Sequence, residues 1–239
     1  MARFVLVHGA WHGGWCWQKV APLLQAEGHT VDAVDLPGHG DSPATIGDMT
    51  LETYARRVVD HVEAAGGPVV LVGHSMGGMS ITQAAELAVD RIETLVYVTA
   101  FLPNDGQSLV QLAEGDPDAL VHPNLIVDEA AGSCTVAEQA RRDTFYGECS
   151  AEDAAQAAAR LVPESLAAMG TPIRVTEERA GSIRRIYVEC LRDRAISIAK
   201  QREMWAARPC EQVLAIDTDH SPFLSRPQEL VTQLLSVAG

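Results

Sequence analysis

No run in this chain approaches the ~18 consecutive apolar residues that a membrane-spanning helix needs. No membrane partner is therefore expected. The opening residues, MARFVLVHGA, lack the apolar stretch and small-residue cleavage site of a secretory leader. Cysteine is sparse. The five residues, Cys16, Cys134, Cys149, Cys190 and Cys210, are widely spaced and form no CxxC. That argues against a disulfide scaffold or a zinc site, and for reduced thiols in a cytoplasmic protein. Positive charge is scarce too. Against 32 Asp+Glu stand 18 Lys+Arg, a formal net charge of -14, and the only lysines are Lys19 and Lys200. Such an acidic chain disfavours nucleic acid and anionic membranes as partners. The phosphate-cradling patterns GxGxxG and GxxxxGK[ST] are both missing, so no nucleotide cofactor is expected.

What is present is a regular alternation. Short apolar, β-branched runs occur at 3–9, 30–40, 68–73, 93–101, 184–190 and 211–217. Helix-like stretches fall between them, at 15–29, 50–65 and about 76–88, with a last one at 227–237. In 50–65, Leu51, Tyr54, Val58 and Val62 recur three or four apart, and Thr50 is a fitting N-cap. This pattern predicts an α/β fold. Its sheet should be mainly parallel, with about six strands and helices on both faces. Between 103 and 182 the rhythm breaks into alanine-rich helical pieces and loops, with no clear strand. The expectation is a core made of 1–102 and 183–239, carrying an inserted, mostly helical cap at 103–182.

The stretch LVGHSMGG (71–78) places Ser75 between Gly73 and Gly77, after a strand and before a helix. A serine hydroxyl is a weak nucleophile until a base takes its proton. A sharp strand-to-helix turn exposes it, and the residues two before and two after must be small, because strand and helix crowd them there. The backbone N–H of Met76 then faces a developing oxyanion at the helix start. A glycine-rich turn with a bystander serine is the alternative. Of the eight histidines, His220 alone both follows Ser75 and ends a core strand, so it is the candidate general base. Asp193, at the end of the preceding strand segment, is the candidate acid that orients it. Asp217 and Asp219 compete, but they lie so close to His220 that shaping its loop is the better role for them. Asp193 could instead pair with Arg192 or Arg194 at the surface.

The first loop, HGAWHGG (8–14), should supply the second oxyanion donor, with the N–H of Ala10 as the candidate. His8 and His12 lack the glutamate of an HExxH metal pair and are expected to hydrogen-bond the loop in place, so no metal is expected. Ser42, in LPGHGDSP, belongs to turn chemistry and is read as structural. Trp11, Phe101, Phe145 and Phe223 are candidate apolar walls of a substrate pocket, with Gly9 and Ser221 at its edge.

With these residues in place, the chain resembles the α/β-hydrolases. More narrowly, it resembles the compact branch that contains plant methylesterases, plant hydroxynitrile lyases and related bacterial esterases. The resemblance is carried by FVLVHGAWHGGWCW (4–17), GHTVDAVDLPGHG (28–40), LVGHSMGG, GSIRRIYVECLRD (181–193) and DHSPF (219–223). It implies Ser75 as nucleophile, Asp193 as acid, His220 as base, and Ala10 and Met76 as oxyanion amides. The lyases of this branch carry a threonine in the first loop and a lysine after the histidine. Here those positions are Gly9 and Ser221, which favours hydrolysis. The expected function is a cofactor-free serine carboxylesterase acting on a small to medium, partly apolar ester. The alternatives are a carbon–carbon lyase of the hydroxynitrile type and a non-catalytic small-molecule receptor on the same fold. A homodimer is compatible with everything above.

Overall fold

The computed structural model describes residues 1–238. The chain opens with β1 (Arg3–Val7), a 3-10 turn (Gly14–Lys19), α1 (Ala21–Ala26) and β2 (Thr30–Val34). Then come α2 (Leu51–Ala64), β3 (Val69–His74), α3 (Gly77–Leu87) and β4 (Ile92–Val98). The next stretch holds α4 (Leu109–Glu114), β5 (Leu125–Asp128), β6 (Ser133–Val136), α5 (Glu138–Phe145), α6 (Ala151–Ala159), β7 (Glu164–Ser165) and α7 (Leu166–Gly170). The chain closes with β8 (Arg184–Cys190), α8 (Ile198–Ala207), β9 (Gln212–Ile216), α9 (Pro222–Ser225) and α10 (Pro227–Val237).

Six strands form one sheet in the order β2-β1-β3-β4-β8-β9, every neighbouring pair parallel. The central strand β3 is buried at all six positions, as a strand covered on both faces must be. Helix α2 starts where Thr50 and Thr53 cap one another, and it buries Leu51, Tyr54, Ala55, Val58 and Val62. Burying each of the larger side chains contributes roughly 1.5–3 kcal/mol. The strand order positions the site. From β1 the chain moves to β2 on one side, then returns to β3 on the other. The loops after β1 and β3 therefore leave the carboxyl edge in opposite directions, and a crevice opens between them.

Three elements differ from the sequence expectation. The 15–29 stretch is a 3-10 turn followed by a short helix, because Pro22 sits in the first turn of α1 and can donate no bond back into the preceding turn. Helix α8 has no apolar stripe. Its buried residues include Lys200 and Gln201, and Gln201 spends its amide on the backbone of Cys190 and Ile196. The 103–182 stretch holds β5, β6 and β7, a three-stranded antiparallel sheet where no strand was expected. These strands run four, four and two residues, too short to show a period of two.

Glu164 anchors that stretch to the rest of the fold. It is fully buried and accepts from Tyr54 Oη at 2.7 Å and from the Ser165 N–H at 2.8 Å. His39 Nε2 lies 3.1 Å from its other oxygen, off the line of a hydrogen bond, so that contact is electrostatic. Burial pulls the His39 imidazole down, but the nearby Glu164 carboxylate outweighs it and leaves the ring above its ordinary value.

Candidate active site

At the carboxyl end of β3 the backbone turns at Ser75, with φ 52°. A residue with a side chain is strained there by about 1–3 kcal/mol. The turn is fixed by its surroundings. Ser75 N–H donates to Val98 O (3.4 Å), and Ser75 O accepts from Gly78 N (3.0 Å) and Phe101 N (3.0 Å). A Cβ on Gly73 would fall 2.9 Å from the Gly77 backbone, and one on Gly77 would fall 2.6 Å from His8 O. Both positions therefore need glycine for β3, the first loop and α3 to meet.

His220 follows β9. Its Nδ1–H donates to Asp193 Oδ2 at 2.6 Å. Its carbonyl accepts the Nε2–H of His74, the residue before Ser75, at 2.8 Å. The imidazole packs 4.5 Å from the His74 ring and 5.7 Å from Phe145. With Nδ1 committed to Asp193, Nε2 is the nitrogen left to exchange a proton. Asp193 is buried just beyond β8, and its carboxylate is fully engaged. Oδ1 accepts from Ala195 N (2.6 Å) and Ile196 N (3.0 Å), while Oδ2 accepts from Thr99 Oγ1 and His220. The competing carboxylates are occupied elsewhere. Asp217 is 71% exposed and pairs with Arg192 at 2.9 Å. Asp219 accepts from Ser221 N, Ser225 Oγ and Glu148 N, within and beside its own loop. Arg192 bridges Asp217 and Glu148 and leaves Asp193 alone.

The first loop lies directly on Ser75. A Cβ at Gly9 would fall 2.6 Å from Ser75 Cβ. Two buried histidines hold the loop. His8 donates from Nδ1 to Gly9 O (2.8 Å) and accepts from Leu36 N (3.2 Å). His12 donates from Nδ1 to Ala10 O (2.8 Å) and accepts from Tyr146 Oη (2.8 Å). Burial pushes His12 down to about 3, and pushes His8 and His74 well below the ordinary histidine value. All three rings are neutral hydrogen-bonding parts near neutral pH. Among the described residues, the backbone N–H groups of Ala10 and Met76 donate to no protein acceptor. No group of three His, Cys, Asp or Glu side chains there is placed to hold a metal ion.

A cavity of about 280 Å³ opens at Ser75, Ala10 and Met76. Trp11, Phe101 and Phe145 line it. Gly9, Ser221 and Phe223 do not. Helix α9 begins at Pro222 and turns these last two inward. Ser221 is fully buried, and Phe223 packs 4.8 Å from His74 and 5.4 Å from Trp17, beneath the site. Walls that sequence reasoning missed come from Leu109, Val110, Leu166 and Met169 on α4 and α7, and from Ile196. Those helices have six and five residues, too few to show a repeating face. Thr99 was missed as well. It sits at φ 37° after β4 with nothing in sequence to mark it. The lining includes the acidic Glu114 and Asp116 and a histidine, His122, but no lysine or arginine.

Comparison with known proteins agrees with this architecture. The model of the alpha/beta hydrolase family matches residues 4–233. Methylesterase 7 of Arabidopsis thaliana is 33% identical over 265 residues, spanning 99% of this chain and 96% of that protein. The pyrethroid hydrolase of Sphingobium wenxiniae is 35% identical over 250 residues, spanning 98% and 86%. The crystal structure of polyneuridine aldehyde esterase superposes with a TM-score of 0.88 at 29% identity, covering 100% of both chains.

Proposed function

The chain belongs to the alpha/beta hydrolase family, and from that premise we propose that it is a cofactor-free serine carboxylesterase working through an acyl-enzyme. The observation that carries the reading is the 2.6 Å His220–Asp193 contact, with the His220 ring 4.5 Å from that of His74, the residue before the strained turn at Ser75. Ser75 Oγ attacks the acyl carbon while His220 Nε2 takes its proton. Asp193 holds the ring with Nδ1 protonated and stabilises the imidazolium that forms. The carbonyl electron pair moves to oxygen, where the N–H groups of Ala10 and Met76 receive it. Each such donor is worth roughly 3–4 kcal/mol in the transition state. His220 returns the proton to the leaving alkoxide. Water then attacks the acyl-serine by the same route, releasing the acid and restoring Ser75.

The substrate class follows from the cavity. Its walls are mostly apolar, it holds no lysine or arginine, and Glu114 and Asp116 lie in its lining. A small to medium, uncharged ester with an apolar acyl or alcohol part fits it, and a free carboxylate does not. The 103–182 stretch serves as the cap, since it supplies most of the wall and so sets specificity. Relatives named for ester and pyrethroid hydrolysis fit this substrate class. A cyanide-releasing lyase would need a cation beside His220. The next residue is instead the fully buried Ser221.

The test is turnover of p-nitrophenyl butyrate. Ser75→Ala should lower kcat by about 10³-fold or more, and the wild type should gain one covalent adduct with a fluorophosphonate. Turnover by Ser75→Ala within tenfold of wild type would refute the reading. Mandelonitrile cleavage without ester turnover would favour the lyase.

A further inference from the structure

One short turn of the 103–182 stretch touches both loops of the candidate site. In Phe145–Cys149, Tyr146 Oη bonds His12 of the first loop at 2.8 Å, and Glu148 N–H donates to Asp219 of the His220 loop at 2.7 Å. Phe145 lines the cavity and packs 5.7 Å from both Trp11 and His220. Two further bonds join this stretch to the first loop: Val162 N to Trp11 O (3.0 Å) and Trp11 Nε1 to Cys134 O (3.1 Å).

The chemistry of the Tyr146–His12 pair fixes its direction. His12 Nδ1 faces the Ala10 carbonyl oxygen, which can only accept, so the ring proton is on Nδ1. The buried ring is neutral, so Nε2 is bare and the tyrosine must donate to it. His12 is thus held at both ends. One end joins it to the 103–182 stretch and the other to the peptide following Ala10. The backbone N–H of His12 also reaches Gly9 O at 3.4 Å, and Gly9 O belongs to the planar peptide that carries the Ala10 N–H. Freeing the ring would loosen the loop on both sides of the Ala10 donor.

We propose that Tyr146 is a positioning residue for the oxyanion site. Donating to His12 from the 103–182 stretch, it holds the 9–12 loop so that the Ala10 N–H stays aimed at the developing oxyanion. The inference rests on the serine-esterase reading above. Tyr146→Phe keeps the ring and removes only the donor. It should lower kcat about tenfold and leave KM within about twofold.

A pair of inhibitors separates this role from a loss of packing. With a trifluoromethyl ketone, His220 Nε2 takes the Ser75 proton as Oγ adds to the carbonyl carbon, and the carbonyl electron pair moves to oxygen, which places an oxyanion at the donors. The matching methyl ketone binds without adding. Affinity for the first should fall in parallel with kcat/KM, while affinity for the second is unchanged. Equal losses for both ketones, or no loss for either, would overturn the proposal. A measurement on the wild type stands even if the variant fails to fold: ring ¹⁵N shifts should report a neutral His12 with its proton on Nδ1 from about pH 5 to 8. A proton on Nε2 would overturn it. If Ser75→Ala is inactive while Tyr146→Phe behaves as wild type, this inference falls alone. If Ser75→Ala stays active, both fall.

Discussion

Replacing Asp193 by Asn exchanges one oxygen for an NH2 group, and the surroundings decide which oxygen. Oδ1 accepts two backbone N–H groups, from Ala195 at 2.6 Å and Ile196 at 3.0 Å. An NH2 there would face two donors, so the amide oxygen must take that place. The NH2 then occupies the Oδ2 position, 2.6 Å from His220 Nδ1 and next to Thr99 Oγ1. The threonine hydroxyl can rotate and accept. His220 Nδ1 can accept as well, but only if the ring proton moves to Nε2. Nε2 then carries a hydrogen and cannot take the proton of Ser75. Every hydrogen bond survives in Asp193→Asn, yet the base is disabled. The expected loss in kcat is about 10⁴-fold, or about 5.5 kcal/mol, with little change in Tm. Asp219→Asn is the control and should stay within about tenfold of wild type, because Asp219 bonds Ser221, Ser225 and Glu148 rather than the His220 ring. Steady-state kinetics and a thermal melt of both variants decide the matter. An Asp193→Asn enzyme retaining more than about a tenth of wild-type kcat, with Asp219→Asn the weaker of the two, would refute the assignment of the acid.

Two further predictions concern pH. Burial holds His12 at about 3 against an ordinary 6.5, so between those values the unfolded chain binds a proton that the folded one refuses. Stability is therefore present above 6.5 and lost as pH falls towards 3, by on the order of 5 kcal/mol from this ring alone; His8 and His74 act in the same direction. Urea midpoints measured from neutral to acid pH should fall steeply, and a flat profile would contradict the neutral buried rings. His39 has the opposite sign: its ring is raised, so the Glu164 contact stabilises below the ordinary histidine value and fades as pH rises through the raised one. Glu164→Gln should therefore cost about 3–5 kcal/mol near pH 6 and progressively less as pH rises; a pH-independent loss would mean the pair is not ionised.

The sheet could be read from sequence because each of its six strands is a short segment rich in apolar and β-branched residues, flanked by helical or turn-forming stretches, that needs no distant partner to be recognised. Ser75 stood out for the same reason, since the glycines that make its turn lie two residues to either side. The pairing of Asp193 with His220, 2.6 Å apart in the structure, was reachable through the order of strand ends. What stayed hidden depends on partners far away in sequence. Thr99 reaches Asp193 across 94 residues, and Tyr146 reaches His12 across 134. Nothing near either residue announces those bonds. Helix α8 escaped because its buried face carries Lys200 and Gln201, where a hydropathy pattern expects leucine. Phe223 was a candidate apolar wall; it packs instead against the rings of Trp17 and His74 beneath the site.

Backbone strain ties these observations together. Among the described residues, three that are not glycine have positive φ: Trp11 at 62°, Ser75 at 52° and Thr99 at 37°. All three belong to the candidate site. At about 1–3 kcal/mol each, their strain is comparable with the net stability of a domain and persists only where neighbouring bonds over-determine it. Ser75 is held by β4 and the turn after it, through Val98 and Phe101, and Thr99 by β8, through Val188 O at 2.8 Å. Trp11 differs. Its carbonyl and its indole N–H are both held from the 103–182 stretch, by Val162 and Cys134. The sheet thus fixes Ser75 and Thr99, while the first loop at Trp11 depends on the stretch that also walls the cavity. Whatever displaces that stretch relaxes Trp11 and the adjacent Ala10 N–H together, so under the proposed mechanism substrate selection and oxyanion stabilisation would be lost together.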